Sequence, residues 1–351
     1  MDNKHLSKTK CYIVLMNNKH LKFSGFGLLV LFAVFPYSCK KPETKKVEET
    51  IINQQSAILV INEGNFQWGN ASLDLLDLKQ GKYTADVFKN ANNFPLGDIC
   101  QSAQLIDGKL FIVVNNSGKI EICDTSNFKV LHTVKGLRSP RYLCASGNEI
   151  YVTDLFANSI SVLDRNTFVQ KRTIATYGWS EDIAEFNNQV YFIDLSVDSV
   201  MLVGKDGGNA AGIKTIIGKP FDFISQESKL EVASYFGDSL IITNLLNNTA
   251  IVYPDMLPEN PSKIIYNKGL QQYYLLFSKA VYVLRNGQYS IFYTDNNSNF
   301  SGMEITNGQL LLANAKDYVK KSEVQVINHE GKLITKYESG NITTSFLILK
   351  E

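Results

Sequence analysis

From Ala57 onward the chain is written as short apolar runs separated by polar breaks. The runs are rich in Ile, Val, Tyr and Phe, and the breaks in Gly, Asn and Asp, which predicts β-strands joined by turns. The run "KLFIVVNNSGKIEICD" from Lys109 is echoed by "EIYVTDLFANSISVLD" from Glu149 and by "QVYFIDLSVDSVMLVG" from Gln189. Phe111, Tyr151 and Tyr191 hold the same place in each echo, 40 residues apart. Further copies begin at Ala57, Lys229, Ala280 and Gln309, making seven. No stretch longer than a turn has the 3.6-residue periodicity of an amphipathic helix.

Seven copies of a four-strand unit, each about 42 residues long, predict an all-β, seven-bladed β-propeller over residues 57–351. Solenoid rungs are shorter than this, and β-sandwiches do not repeat sevenfold. In the third unit the strands, from the axis outwards, are A "RYLCAS", B "EIYVTD", C "SISVLD" and D "KRTIAT". The first unit begins at strand B, "AILVIN", and the chain ends on an orphan strand, "TTSFLIL", Thr343 to Leu349. That last strand is expected to become strand A of the first blade, closing the ring and covering its inner edge. The spacing stretches to about 50 residues between the copies at Lys229 and Ala280, then shrinks to about 30 before Gln309.

The segment before Ala57 reads differently. Lys19 and Lys22 precede the apolar run "GFGLLVLFAVF" and then "PYSCKK". A short apolar core behind a basic stretch is the grammar of a signal peptide, and eleven residues fall short of the ~20 needed to span a bilayer as a helix. Residues 1–38 are therefore read as a signal, with Met16 as an alternative start. Cys39, just beyond the apolar run and preceded by Ser38, resembles the lipidated cysteine of bacterial lipoproteins, and residues 39–56 read as a polar tether.

Charge narrows the partners. The chain carries 35 Lys and Arg against 34 Asp and Glu, but nine Lys and four acids lie in residues 1–50, leaving 26 against 30 beyond them. A mildly acidic body argues against a nucleic-acid surface. Cys100, Cys123 and Cys144 form no CxxC motif and read as buried thiols, with one disulfide left open.

Candidate chemistry is confined to the loops. In a propeller the B–C and D–A loops share one face, where ligands are gripped by loops on a rigid scaffold. The B–C loops are read as residues 62–71, 115–118, 154–159, 194–199, 234–239, 285–288 and 313–322. Their aromatic residues, with those of the D–A loops, are Phe66, Trp68, Phe156, Tyr177, Trp179, Phe221, Tyr235, Phe236 and Tyr318. With Asn65, Arg138 and Arg141 they form the candidate ligand face, the arginines being suited to a carboxylate, phosphate or amide oxygen. Packing between blades is the competing role for each aromatic, and a surface ion pair for each arginine. Glu63, Asp154, Asp194, Asp198 and Asp238 could ring a calcium ion as in propeller lactonases, but no tight calcium-loop motif accompanies them. His132 and His329 fall in a D strand and a C–D turn, away from that face. No HExxH, GxSxG or P-loop pattern occurs, so no catalytic residue, metal or cofactor is assigned.

The stretch "ILVINEGNFQWGNASLDLLDLKQGKY" followed by "LGD", and the last blade "LLLANAKDYVKKSEVQVINHEGKL", resemble the YncE-like, DUF5074-type propeller lipoproteins of Bacteroidetes. The most specific parts are "NEGN" at Asn62 to Asn65 and "AKDY" at Ala315 to Tyr318. The resemblance implies an outer-membrane lipoprotein at the cell surface or the periplasmic leaflet. It would capture a bulky nutrient, a corrinoid or a siderophore- or haem-like molecule, and pass it to a TonB-dependent receptor. The alternatives are a metal-dependent lactonase-like hydrolase and a docking scaffold for an outer-membrane receptor.

Overall fold

The computed structural model describes residues 12–15, 57–204, 212–214, 216–254 and 257–349. Seven antiparallel sheets of four strands form the blades of a ring, and one sheet carries a fifth strand. Blade one pairs Thr343–Leu349 (A) with Ala57–Asn62 (B), Ser72–Asp77 (C) and Lys82–Thr84 (D). The A strands of blades two to seven are Cys100–Ile106, Pro140–Ser146, Ser180–Phe186, Lys219–Gln226, Lys263–Asn267 and Phe300–Thr306.

The burial pattern explains the sequence pattern. A blade is packed on both faces, so successive side chains of a B strand serve two different interfaces. In Lys109–Val114, Leu110, Ile112 and Val114 join the cluster shared with blade one, whereas Phe111 and Val113 join the cluster shared with blade three. Seven such apolar clusters fill the seven inter-blade interfaces. The outer D strands are half exposed and alternate, as in Gln170–Ala175.

The C-terminal strand closes the ring as expected. Leu349 pairs with Ala57 and the register runs to Thr343 opposite Asn62. Blades seven and one approach closely here: a Cβ on Gly302 would lie 1.9 Å from the carbonyl oxygen of Thr344. Buried Asp74 ties the seam together, accepting hydrogen bonds from Asn62 Nδ2 (2.8 Å), Tyr83 Oη (2.6 Å), the Asp86 amide (2.8 Å) and, across from blade seven, the Gly340 amide (3.1 Å). Thr343 Oγ1 donates to Asn62 Oδ1 at 2.6 Å, joining the closing strand to the same network.

Two expectations are corrected. Residues 285–288 are not a B–C loop: strand B of blade six is Gln272–Leu276, Ala280–Arg285 is strand C, and Arg285 pairs with Gln288 in the C–D hairpin. Strand C there is as apolar as a B strand, which shifted the reading by one strand and produced the uneven spacing. From Lys229 to Gln272 to Gln309 the steps are 43 and 37 residues. A short helix, Val87–Asn92, lies between blades one and two and buries Val87 and Phe88. Cys100, Cys123 and Cys144 are buried free thiols, in keeping with the sequence reading, and the disulfide left open is not formed among them.

Tyr12–Leu15 forms the fifth strand, outermost on blade five against Thr249–Tyr253. The apolar signal core, Cys39 and the tether lie outside the described residues. Among the described residues no helix is long and apolar enough to cross a membrane.

Candidate functional site

Six of the seven A strands share one irregularity at the loop-face end: the register with strand B slips, leaving extra residues opposite one partner. Such a β-bulge re-aims a side chain out of the pleat. The bulges hold Gln101, Arg141, Glu181, Phe221, Ser301 and Thr344, and all six line one cavity on the ring axis. The first four follow at 40-residue steps, and Pro261 and Ser301 continue the series.

The cavity is a funnel of about 520 Å³ opening on the loop face. A second cavity of about 660 Å³ lies at the opposite end of the axis, and the two share Asp182, Asp222 and Lys263 as a waist. The funnel has two unlike sides. Ile193, Leu195, Pro220, Phe221 and Tyr235 form an apolar wall, with the Phe221 and Tyr235 rings 6.2 Å apart. Glu63, Gln101, Arg141 and Glu181 form a polar wall.

On the polar wall Arg141 is held firmly. Its Nε lies 3.1 and 3.0 Å from the two oxygens of Glu181, Nη2 lies 2.9 Å from Oε1, and Nη1 donates to Gln101 Oε1. Trp179 Nε1 also donates to Glu181. Burial pushes the Glu63 carboxyl up to about 7, with the Arg141 guanidinium pulling the other way. At the waist burial and the neighbouring Asp222 push Asp182 up to about 7, Lys263 opposing. Burial likewise raises Asp222. Burial would lower Lys263, but Asp222, Glu304 and Asp182 outweigh it and raise the ammonium.

The sequence-predicted face divides in two. Arg141, Phe221 and Tyr235 line the funnel. Phe66, Trp68, Phe156, Tyr177, Trp179, Phe236 and Tyr318 are exposed on the surrounding loops, Trp68 at 71% and Phe236 at 73%. Arg138 is exposed outside the funnel lining. Asn65 is a clamp: its Nδ2 donates to the Tyr318 carbonyl at 2.7 Å, tying the "NEGN" loop to the "AKDY" loop. Gly64 makes that loop feasible, with φ +78° and Ala71 N only 2.6 Å from where a Cβ would stand.

The charge of Arg141 is matched by Glu181, and Glu181 and Gln101 together engage all three of its nitrogens, so it is not a free cation awaiting an anion. Asp154 and Asp194 are buried turn caps: Asp154 accepts from the amides of Ser139, Phe156 and Ala157, and Asp194 from those of Tyr177, Gly178 and Ser196. Among the described residues no group of three or more His, Cys, Asp or Glu side chains is placed to hold a metal ion. Sequence reasoning did not single out Gln101, Glu181, Asp182, Asp222 and Lys263 as site residues. The 40-residue step, carried onto the polar positions at the start of each A strand, marks Gln101 and Glu181.

Residues 56–226, from the first B strand through the inner strand of blade five, match the family described as a domain of unknown function, DUF5074. No curated protein matches the sequence. Among solved structures, a quinonprotein alcohol dehydrogenase-like protein from Bacteroides thetaiotaomicron is similar with a TM-score of 0.68 at 14% identity, over 84% of this chain and 78% of that one. The dihydro-heme d1 dehydrogenase NirN, in complex with DHE, gives 0.58 at 11% identity over 85% and 76%. Apo AztD from Citrobacter koseri gives 0.52 at 11% identity over 82% and 83%. At these identities the likeness speaks to the fold.

Proposed function

We propose that this propeller is a non-catalytic binding protein that holds a bulky, amphipathic small molecule on its loop face. The observation that carries the reading is the convergence of six bulged side chains on one axial funnel beneath a rim of exposed aromatics. A cavity of about 520 Å³ falls within the ~300–1,000 Å³ of small-molecule sites. A single exposed ring needs no explanation, but several exposed aromatics on the loops of one face favour an interaction surface, and flat rings above a funnel suit a flat ligand with polar arms. The resemblance stated above makes a corrinoid the first ligand to try, with Cys39 as the outer-membrane anchor and a TonB-dependent receptor as the acceptor.

The test is calorimetry with cyanocobalamin on the intact protein and on a Trp68→Ala, Trp179→Ala double variant. Micromolar or tighter binding that the double variant weakens at least tenfold, about 1.4 kcal/mol, is the expected result. Absence of heat at micromolar concentration removes the corrinoid and sends the search to siderophores and haem. A second reading, a hydrolase, draws on the Glu63 and Asp182 carboxyls held near neutrality, where a general acid or base works best. Lactone hydrolysis lost on Glu63→Gln, or on chelation by EDTA, would favour it.

A further inference from the structure

The charges on the funnel wall do not balance, and the imbalance selects a ligand class. Arg141 is matched by Glu181, which it meets at 2.9 Å, and its remaining reach goes to Gln101. Lys219, at the rim, pairs with Asp198 at 3.2 Å on the exposed surface. Lys263 sits below, between Asp182 and Asp222. Asp182 and Asp222 share that one ammonium, and higher on the wall Glu63 has no ion pair: it faces Arg141, Glu181, Thr344 and the buried thiol of Cys100. Opposite it stands the apolar wall of Pro220, Phe221 and Tyr235.

We propose that, given the binding function above, the funnel selects ligands whose inserted head is a nitrogen donor, a protonated amine or primary carboxamide, and rejects anionic heads. The head meets Glu63 and the body lies along Phe221 and Tyr235. An anionic head would enter a cavity whose one nearby guanidinium is already committed and whose free charge is negative, so it would desolvate with no compensating partner. A donor head gives Glu63 a nitrogen partner in addition to the Thr344 hydroxyl beside it. The carboxamide arms of a corrinoid meet this requirement, and the anionic hydroxamate or catecholate end of a siderophore does not. Burial holds the Glu63 proton on to about 7, so a cationic head displaces that proton on binding.

Three probes with the same phenol body separate the heads: tyramine, 4-hydroxyphenylacetamide and 4-hydroxyphenylacetate, titrated into the intact protein by calorimetry or ligand-observed NMR. Tyramine and the amide are expected to bind at least tenfold more tightly than the acid. Tyramine affinity should rise about tenfold from pH 6 to pH 8 as Glu63 ionises, and Glu63→Gln should abolish that rise while leaving the amide within about threefold. An acid that binds as well as the amine, a rise that persists in Glu63→Gln, or no binding by any probe overturns the proposal. The cyanocobalamin titration stands apart: corrinoid binding with the acid preferred sinks only the head-group rule, and amine preference without corrinoid binding sinks only the corrinoid.

Discussion

Two buried carboxylate sites in this ring are put to opposite use. At the seam between blades seven and one, Asp74 collects four donors, three side by side on Oδ2: Asn62, Tyr83 and the Asp86 amide from blade one and its connector, and the Gly340 amide from blade seven. At the funnel and its waist, Glu63 and Asp182 are enclosed with fewer partners, and burial lifts both to about 7. A satisfied buried carboxylate rigidifies, whereas an undersatisfied one costs stability and waits for a ligand or a proton. The difference lies in the neighbours: the seam offers amides and hydroxyls pointing at one carboxylate, while the funnel side of the A strands is open to the axis.

The largest effect should come from removing the seam. A chain ending at Asn341 leaves the inner edge of blade one and the Asn62 side chain uncovered, so it should lose its β-sheet circular dichroism or elute as aggregate in gel filtration. A truncated protein that melts cooperatively at the wild-type temperature would show that the seam does not hold the ring. Next in size, Asp74→Ala orphans four donors at once. With each buried unsatisfied group costing about 1–3 kcal/mol, a loss of roughly 3–5 kcal/mol in urea unfolding is expected, and Asp74→Asn should lose less because one oxygen remains.

The smallest effect, and the one that sharpens the contrast, is pH dependence. Glu63 and Asp182 have folded values near 7 against ordinary values of 4.5 and 3.8. Between those limits the folded protein binds protons that the unfolded chain does not, so their contribution makes stability fall as pH rises from about 4 to 7. The melting temperature should therefore decline across that window and level off above it. Glu63→Gln and Asp182→Asn should each flatten the decline, and an unchanged slope in both variants would place its origin elsewhere in the molecule.

The repeat was legible because each blade must bury both faces, which forces apolar residues into every B and C strand at a fixed period. Blade six was misread where that rule is least discriminating, since Ala280–Arg285 carries a B-like pattern in strand C. The rim aromatics were legible because large apolar side chains stand out in polar loops. Arg141 was found as a residue but not as half of an ion pair, because Glu181 lies 40 positions away and only the neighbouring blade brings it alongside. Asp182, Asp222 and Lys263 gave no signal, since charged residues at strand starts are ordinary until seven such starts are drawn onto one axis.

The sequence by itself determined the architecture: seven units, their strand order, and a terminal strand with an empty place waiting for it. Those follow from local alternation and a 40-residue period, which survive in one dimension. The tertiary structure decided the site. A bulge exists only relative to a partner strand, and a charge is free or matched only relative to side chains from other blades. The funnel, its apolar and polar walls and the unmatched carboxyl of Glu63 therefore exist only once the ring has closed.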